Sequence, residues 1–231
     1  MTQHILKNIL FEPDLSQLVK MFRMKEGSAG LDSLNQLVSE SREIARPKGL
    51  FRVAFIDSKE DESVIIEGVK FSSRVLRVNL ERANRVFVYA ATCGKELDDW
   101  SAAKKDLLTK YICDTLKEMA LHSALAEVGK HLNDLYQPGP VSSMNPGSLD
   151  DWPLSAQKDL FKVLDDPEEE IGVRLTESCL MIPTKSVSGI FFPKEETFQS
   201  CQLCPRENCS GRRAPYDKDL YDKKYRLLKT S

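Results

Sequence analysis

The sequence has only three histidines and two tryptophans in 231 residues, and it has no long apolar run. His4, His122 and His131 lie far apart, so no paired-histidine metal motif forms. A serine-nucleophile elbow and a phosphate-cradling glycine loop are also absent. No stretch approaches the roughly 18 apolar residues of a membrane span. The N-terminus, MTQHILKNILFEPDLSQL, lacks a basic start, an uninterrupted apolar stretch and a small-residue cleavage site. A cytoplasmic protein is expected, and its six cysteines are then read as thiols or metal ligands, not disulfides. Charge of one sign is lacking too: 33 basic residues meet 35 acidic ones, for a net −2. Neither nucleic acid nor a membrane surface is an expected partner.

What is present is a globular balance, 41% hydrophobic and 29% charged, suited to one domain with extensions. Residues 14–45 predict two helices, from Leu15, Leu18, Val19 and Phe22 and then Leu31, Leu34, Leu37 and Val38. Gly27 and Gly30 separate them, and Pro47 ends the second. Residues 49–92 read as strands, with the run from Arg85 to Thr92 the strongest. Residues 103–135 predict one long helix with a broad apolar stripe and Gly129 as a candidate kink. Residues 137–153 form a loop too long for a plain connector. Ser155 is expected to cap a short helix through Leu164, and residues 171–192 return to strand. The acidic run Asp165–Glu170 reads as a solvated turn, and Tyr216, Tyr221 and Tyr225 as packing residues of a helical tail.

The stretch Asn145 to Phe192 carries a distinctive pattern. It runs Asn145-Pro146-Gly147, Trp152-Pro153, Gln157, Leu160-Phe161, Ile171-Gly172-Val173, Leu175-Thr176-Glu177-Ser178, Met181, Pro183 and Ser186-Val187-Ser188-Gly189. It resembles the activation (reactivation) domain of cobalamin (vitamin B12)-dependent methionine synthase. The junction Ala91-Thr92-Cys93-Gly94-Lys95-Glu96-Leu97 is similar to that of short, free-standing members. The resemblance implies an α+β fold, a curved and mainly antiparallel sheet flanked by helices. It divides the chain into an N-terminal helical segment (1–48), an activation-domain-like core (49–199) and a cysteine-bearing extension (200–231). It also implies S-adenosylmethionine as ligand, cobalamin on a partner, a methionine synthase core or other corrinoid-binding protein as that partner, and an electron donor such as flavodoxin. The ligand residues it implies are Asn145, Pro146, Gly147, Ser148, Glu177, Ser178 and Phe198, with Glu127 on the long helix a weaker candidate. The chain departs from the family at two places. Ser143 stands where the family has an arginine suited to a carboxylate, and Ser148 where it has a tyrosine.

Cys201, Cys204 and Cys209 form C-x2-C-x4-C. Soft thiolates at this spacing suit zinc or an iron–sulfur cluster, whose charge Arg206, Arg212 and Arg213 would offset. A redox disulfide pair and unligated thiols remain alternatives. Cys93 and Cys113 read as structural. Three functions follow. The first is a stand-alone reactivation component of methionine synthase or a related corrinoid methyltransferase, supporting reductive methylation of cob(II)alamin in methionine biosynthesis. The second is a metal or iron–sulfur module that docks on and reduces a corrinoid protein. The third is a structural partner that shields a corrinoid domain.

Overall fold

The computed structural model describes residues 2–194, 198–209 and 212–226. Gly211 and the tail residues Leu227, Leu228 and Lys229 lie outside the described residues. A seven-stranded antiparallel sheet forms the frame, in the order β4-β3-β2-β5-β9-β6 with β1 also pairing β2. Its strands are β1 (Gln3–Leu6), β2 (Lys48–Lys59), β3 (Ser63–Ile66), β4 (Val69–Ser72), β5 (Arg85–Thr92), β6 (Val141–Met144) and β9 (Ser186–Pro193). Two short strands, β7 (Arg174–Leu175) and β8 (Met181–Ile182), make a separate hairpin.

Both faces of the sheet are covered, which is why its central strands read as continuous apolar runs. On β2 and β5 the pleat sends Leu50, Ala54, Val86, Val88 and Ala90 to one face. It sends Phe51, Val53, Phe87 and Tyr89 to the other. The second face packs on the long helix α5 (Leu107–Tyr136) through Val128 and Leu132. Beyond α5 lie α1 (Leu15–Met21), α2 (Ala29–Ile44) and α4 (Lys95–Ala102), joined to it by Leu34, Leu37, Leu97, Ile112 and Leu116. The first face carries α3 (Arg74–Asn79), α6 (Gln157–Leu164), α7 (Pro167–Ile171) and the C-terminal segment. Each fully buried Leu or Phe here contributes about 1.5–3 kcal/mol.

The mixed helix and antiparallel sheet expected from the resemblance is the fold observed. Caps explain several boundaries. Asp14, Ser28 and Asp106 each accept a backbone N–H at a helix start. Several expectations differ in detail. Part of the long loop 137–153 is strand β6, an edge strand of four residues whose pattern is too short to read. Ser155 lies within a 3-10 turn, Leu154–Ala156, and no side chain caps α6. The acidic run folds into α7, because Asp166 caps it and Pro167 occupies its first turn. Helix α5 runs unbroken through Gly129. Cys93 and Cys113 are buried, as structural thiols should be. Tyr225 is fully buried, whereas Tyr216 and Tyr221 stay exposed. No helix among the described residues is long and apolar enough to cross a membrane.

Candidate functional site

The pattern Asn-Pro-Gly and the pattern Val-Ser-Gly meet in space. Strand β6 pairs with β9, and Asn145 follows its last residue. The Asn145 side-chain amide donates to the Tyr89 hydroxyl at 2.7 Å and to the Ser188 carbonyl at 2.8 Å. Gly189 makes room for this. A Cβ there would lie 2.5 Å from Asn145 Nδ2 and 2.5 Å from the Met144 carbonyl oxygen. Tyr89 is buried and stacks on Phe191 with centroids 3.9 Å apart. Burial pushes its phenol up to about 12, although Asn145, the Arg213 charge and Ser143 pull the other way. The hydroxyl therefore stays protonated at neutral pH.

The loop after Asn145 closes on itself. Gly147 adopts φ +81°, a backbone region open to glycine, and its N–H donates to the Trp152 carbonyl at 2.8 Å. Ser148 Oγ donates to the Asn145 carbonyl at 2.6 Å. Trp152 anchors the far end, fully buried and edge-on to Phe71. Asp151 caps α3, accepting from the backbone N–H of Arg74 and Val75 and from the Ser73 hydroxyl. Pro146 is buried beneath the loop, while Gly147 and Ser148 are exposed.

A cavity of about 750 Å³ opens beside this loop. One wall is formed by residues 148–151, the other by residues 203–206 of the C-terminal segment. Ser148 and Cys204 thus share a cavity although they lie 56 positions apart in the chain. Glu177 and Ser178 lie elsewhere. They occupy the exposed turn of the β7–β8 hairpin, where Thr176 Oγ1 and Ser178 Oγ are 3.0 Å apart. Phe198 packs in the core against Tyr225, and its N–H donates to Ser142 Oγ at 2.7 Å. Glu127 lies across the molecule, beside residues 5–10.

The cysteine segment is organised by Arg212. Its guanidinium donates to the carbonyls of Cys201 at 3.0 Å, Cys204 at 3.1 Å, Ala214 at 3.2 Å, and also Arg206. The sequence suggested that this arginine offsets cluster charge; instead it serves as the frame of a loop. Cys201 Sγ accepts the Arg213 N–H at 3.4 Å. Burial raises the Cys201 thiol, but the N–H groups of Arg213 and Ala214 and the arginine charges outweigh it and hold the thiol below its ordinary value. Among the described residues, no three His, Cys, Asp or Glu side chains are gathered to hold a metal ion. The expectation of a metal at Cys201, Cys204 and Cys209 is therefore not carried by this geometry. Sequence reasoning missed Asp150, Arg206 and Tyr221 as neighbours of the loop. Their only signal was charge and aromaticity next to turn residues, which is common on any surface.

The antiparallel sheet, its two helical layers and the Asn-Pro-Gly loop at its edge define a reactivation-domain fold. A crystal structure of the MetH reactivation domain bound to AdoHcy matches with a TM-score of 0.57 at 13% identity, covering 87% of this chain and 81% of that one. By sequence, residues 150–209 match the family model described as vitamin B12 dependent methionine synthase, activation domain. The matching model is that of the family which the sequence resembles, and it spans about a quarter of the chain. No curated protein matches.

Proposed function

We propose that this chain is a reactivation component for a cobalamin-dependent methionine synthase or a related corrinoid methyltransferase. It binds S-adenosylmethionine beside the Asn-Pro-Gly loop and presents it to a corrinoid held by a partner. The reaction adds one electron, from a donor such as a flavodoxin, to cob(II)alamin and passes the S-adenosylmethionine methyl group to the resulting cob(I)alamin, leaving S-adenosylhomocysteine. The observation that carries this reading is the family match over residues 150–209 on a chain with the activation-domain fold. The matched stretch includes the loop wall at 150–151, the β7–β8 hairpin and β9. The related structure has S-adenosylhomocysteine bound, the product this reaction leaves. In this reading Gly147 and Ser148 offer exposed backbone to the ligand, and Glu177 on its hairpin turn faces the docked partner.

Calorimetry with S-adenosylmethionine tests the binding step, and saturable binding at micromolar to low-millimolar concentration is expected. The visible spectrum of a cob(II)alamin-bearing partner tests the reaction. Conversion to methylcobalamin should require this chain, S-adenosylmethionine and a reductant together. Absence of binding would overturn the reading.

A second reading, a metal or iron–sulfur module that reduces a corrinoid protein, draws on one feature. Cys201, Cys204 and Cys209 are free thiols on a single loop ordered around Arg212. Anaerobic purification with metal analysis separates the two, since only this reading requires stoichiometric iron or zinc.

A further inference from the structure

The cavity beside the Asn-Pro-Gly loop has unlike charges on its two walls. Asp150 lines one wall and Arg206 the other. Both are exposed, and among the described residues neither side chain makes a hydrogen bond or ion pair. Asp151, next to Asp150, is different: its carboxylate is spent on Ser73 and the start of α3. Tyr221 of α8 (Leu220–Lys224) lines the same cavity, 42% exposed, with Leu149 and Leu203 as apolar surface. The volume falls within the roughly 300–1,000 Å³ of small-molecule sites. The loop wall itself supplies the Ser148 hydroxyl and the two carboxylates but no cation, so the guanidinium and the exposed phenol of the cavity both come from the C-terminal segment.

Such a lining has a definite complement. A guanidinium grips a carboxylate through two parallel N–H donors. A carboxylate attracts an ammonium or sulfonium, and a phenol face stacks on a flat ring. A molecule that carries an α-amino acid at one end and a nucleoside at the other satisfies all three.

We infer that the C-terminal segment completes the ligand site: Arg206 holds the ligand carboxylate, Asp150 its cationic group and Tyr221 its aromatic ring. Arg206 is held in place through its own carbonyl, which Arg212 grips, so the frame of the cysteine loop also aims the wall of the cavity. The inference rests on the reading of the preceding section, in which the ligand is S-adenosylmethionine, and it names residues which that reading does not require.

The test compares S-adenosylmethionine with decarboxylated S-adenosylmethionine, which lacks only the carboxylate, by calorimetry on the full chain. The unaltered protein should prefer the carboxylate-bearing probe by about tenfold or more, the value of one charge-assisted hydrogen-bonded pair. Arg206→Gln should abolish that preference while leaving affinity for the decarboxylated probe unchanged, which also shows that the variant is folded. Tyr221→Leu should weaken both probes equally, by about tenfold, as loss of one stacking partner does. If the unaltered protein binds neither probe, the reactivation reading and this inference fall together. If it binds S-adenosylmethionine and Arg206→Gln keeps the preference, or there is no preference to lose, the inference alone falls.

Discussion

Gly189 and Asn145 show how one missing side chain can shape a site. A Cβ on Gly189 would meet the Asn145 amide and the Met144 carbonyl at distances that no real Cβ shows. Gly189→Ala should therefore cost about 1–3 kcal/mol, the range for overpacking a close-fitted interior. Urea unfolding measures it. Adding Asn145→Ala removes one of the two obstructing groups, so the double variant should be more stable than the sum of the single changes predicts. Tyr89 is the third member of this unit. Tyr89→Phe leaves the Asn145 amide with the Ser188 carbonyl alone and should cost about 1 kcal/mol, read from the same unfolding curves.

At the scale of elements, strand β1 is attached to β2 at an edge, and its strongest side-chain tie is His4. The ring stacks on Phe51 at 4.7 Å and shares a 2.7 Å hydrogen bond with the Tyr136 hydroxyl. Burial and the neighbouring His131 hold its pKa below the ordinary histidine value. The sign follows from linkage: the unfolded strand takes up the proton first, so stability is full above about pH 6.5 and falls as pH drops toward the folded value. The protection factors of the β1 amides, which correct hydrogen exchange for its intrinsic slowing toward acid, should fall between pH 7 and pH 5, and His4→Gln should remove that fall. The cysteine loop is a second element with one dominant tie. Arg212→Ala removes donors to four carbonyls at once. Exchange in residues 200–209 should rise sharply, while the midpoint of global unfolding stays nearly unchanged, because none of these residues is fully buried.

For the whole molecule, ligand binding should appear as stability. With S-adenosylmethionine at a hundred times its dissociation constant, mass action adds about 2.7 kcal/mol. In a domain of this size that raises the melting temperature by about 5–10 °C, as scanning calorimetry would record. The layered architecture makes the response global. The cavity joins a loop at the sheet edge to a C-terminal segment whose Tyr225 lies in the core with Leu50 and Val88. A ligand that ties the two walls together ties the end of the chain to its central strands.

The long helix, the paired N-terminal helices and the β5 strand were legible in the sequence, since each buries a continuous stripe whose period shows in the order of residues. The pattern from Asn145 to Gly189 was legible for a similar reason. Gly147 needs a left-handed backbone and Gly189 needs an absent side chain, so composition records the constraint locally. Strand β6 was not legible, because an edge strand of four residues pairs with a partner more than 40 positions away and carries no period of its own. The cavity belongs to the same class. Asp150 and Arg206 are ordinary surface charges along the chain, and they face a common space only because the C-terminal segment, held by Arg212 and Tyr225, folds back across the loop. Local order in the sequence determined which residues could turn, pair and bury. Long-range burial decided which of the remaining polar groups would meet.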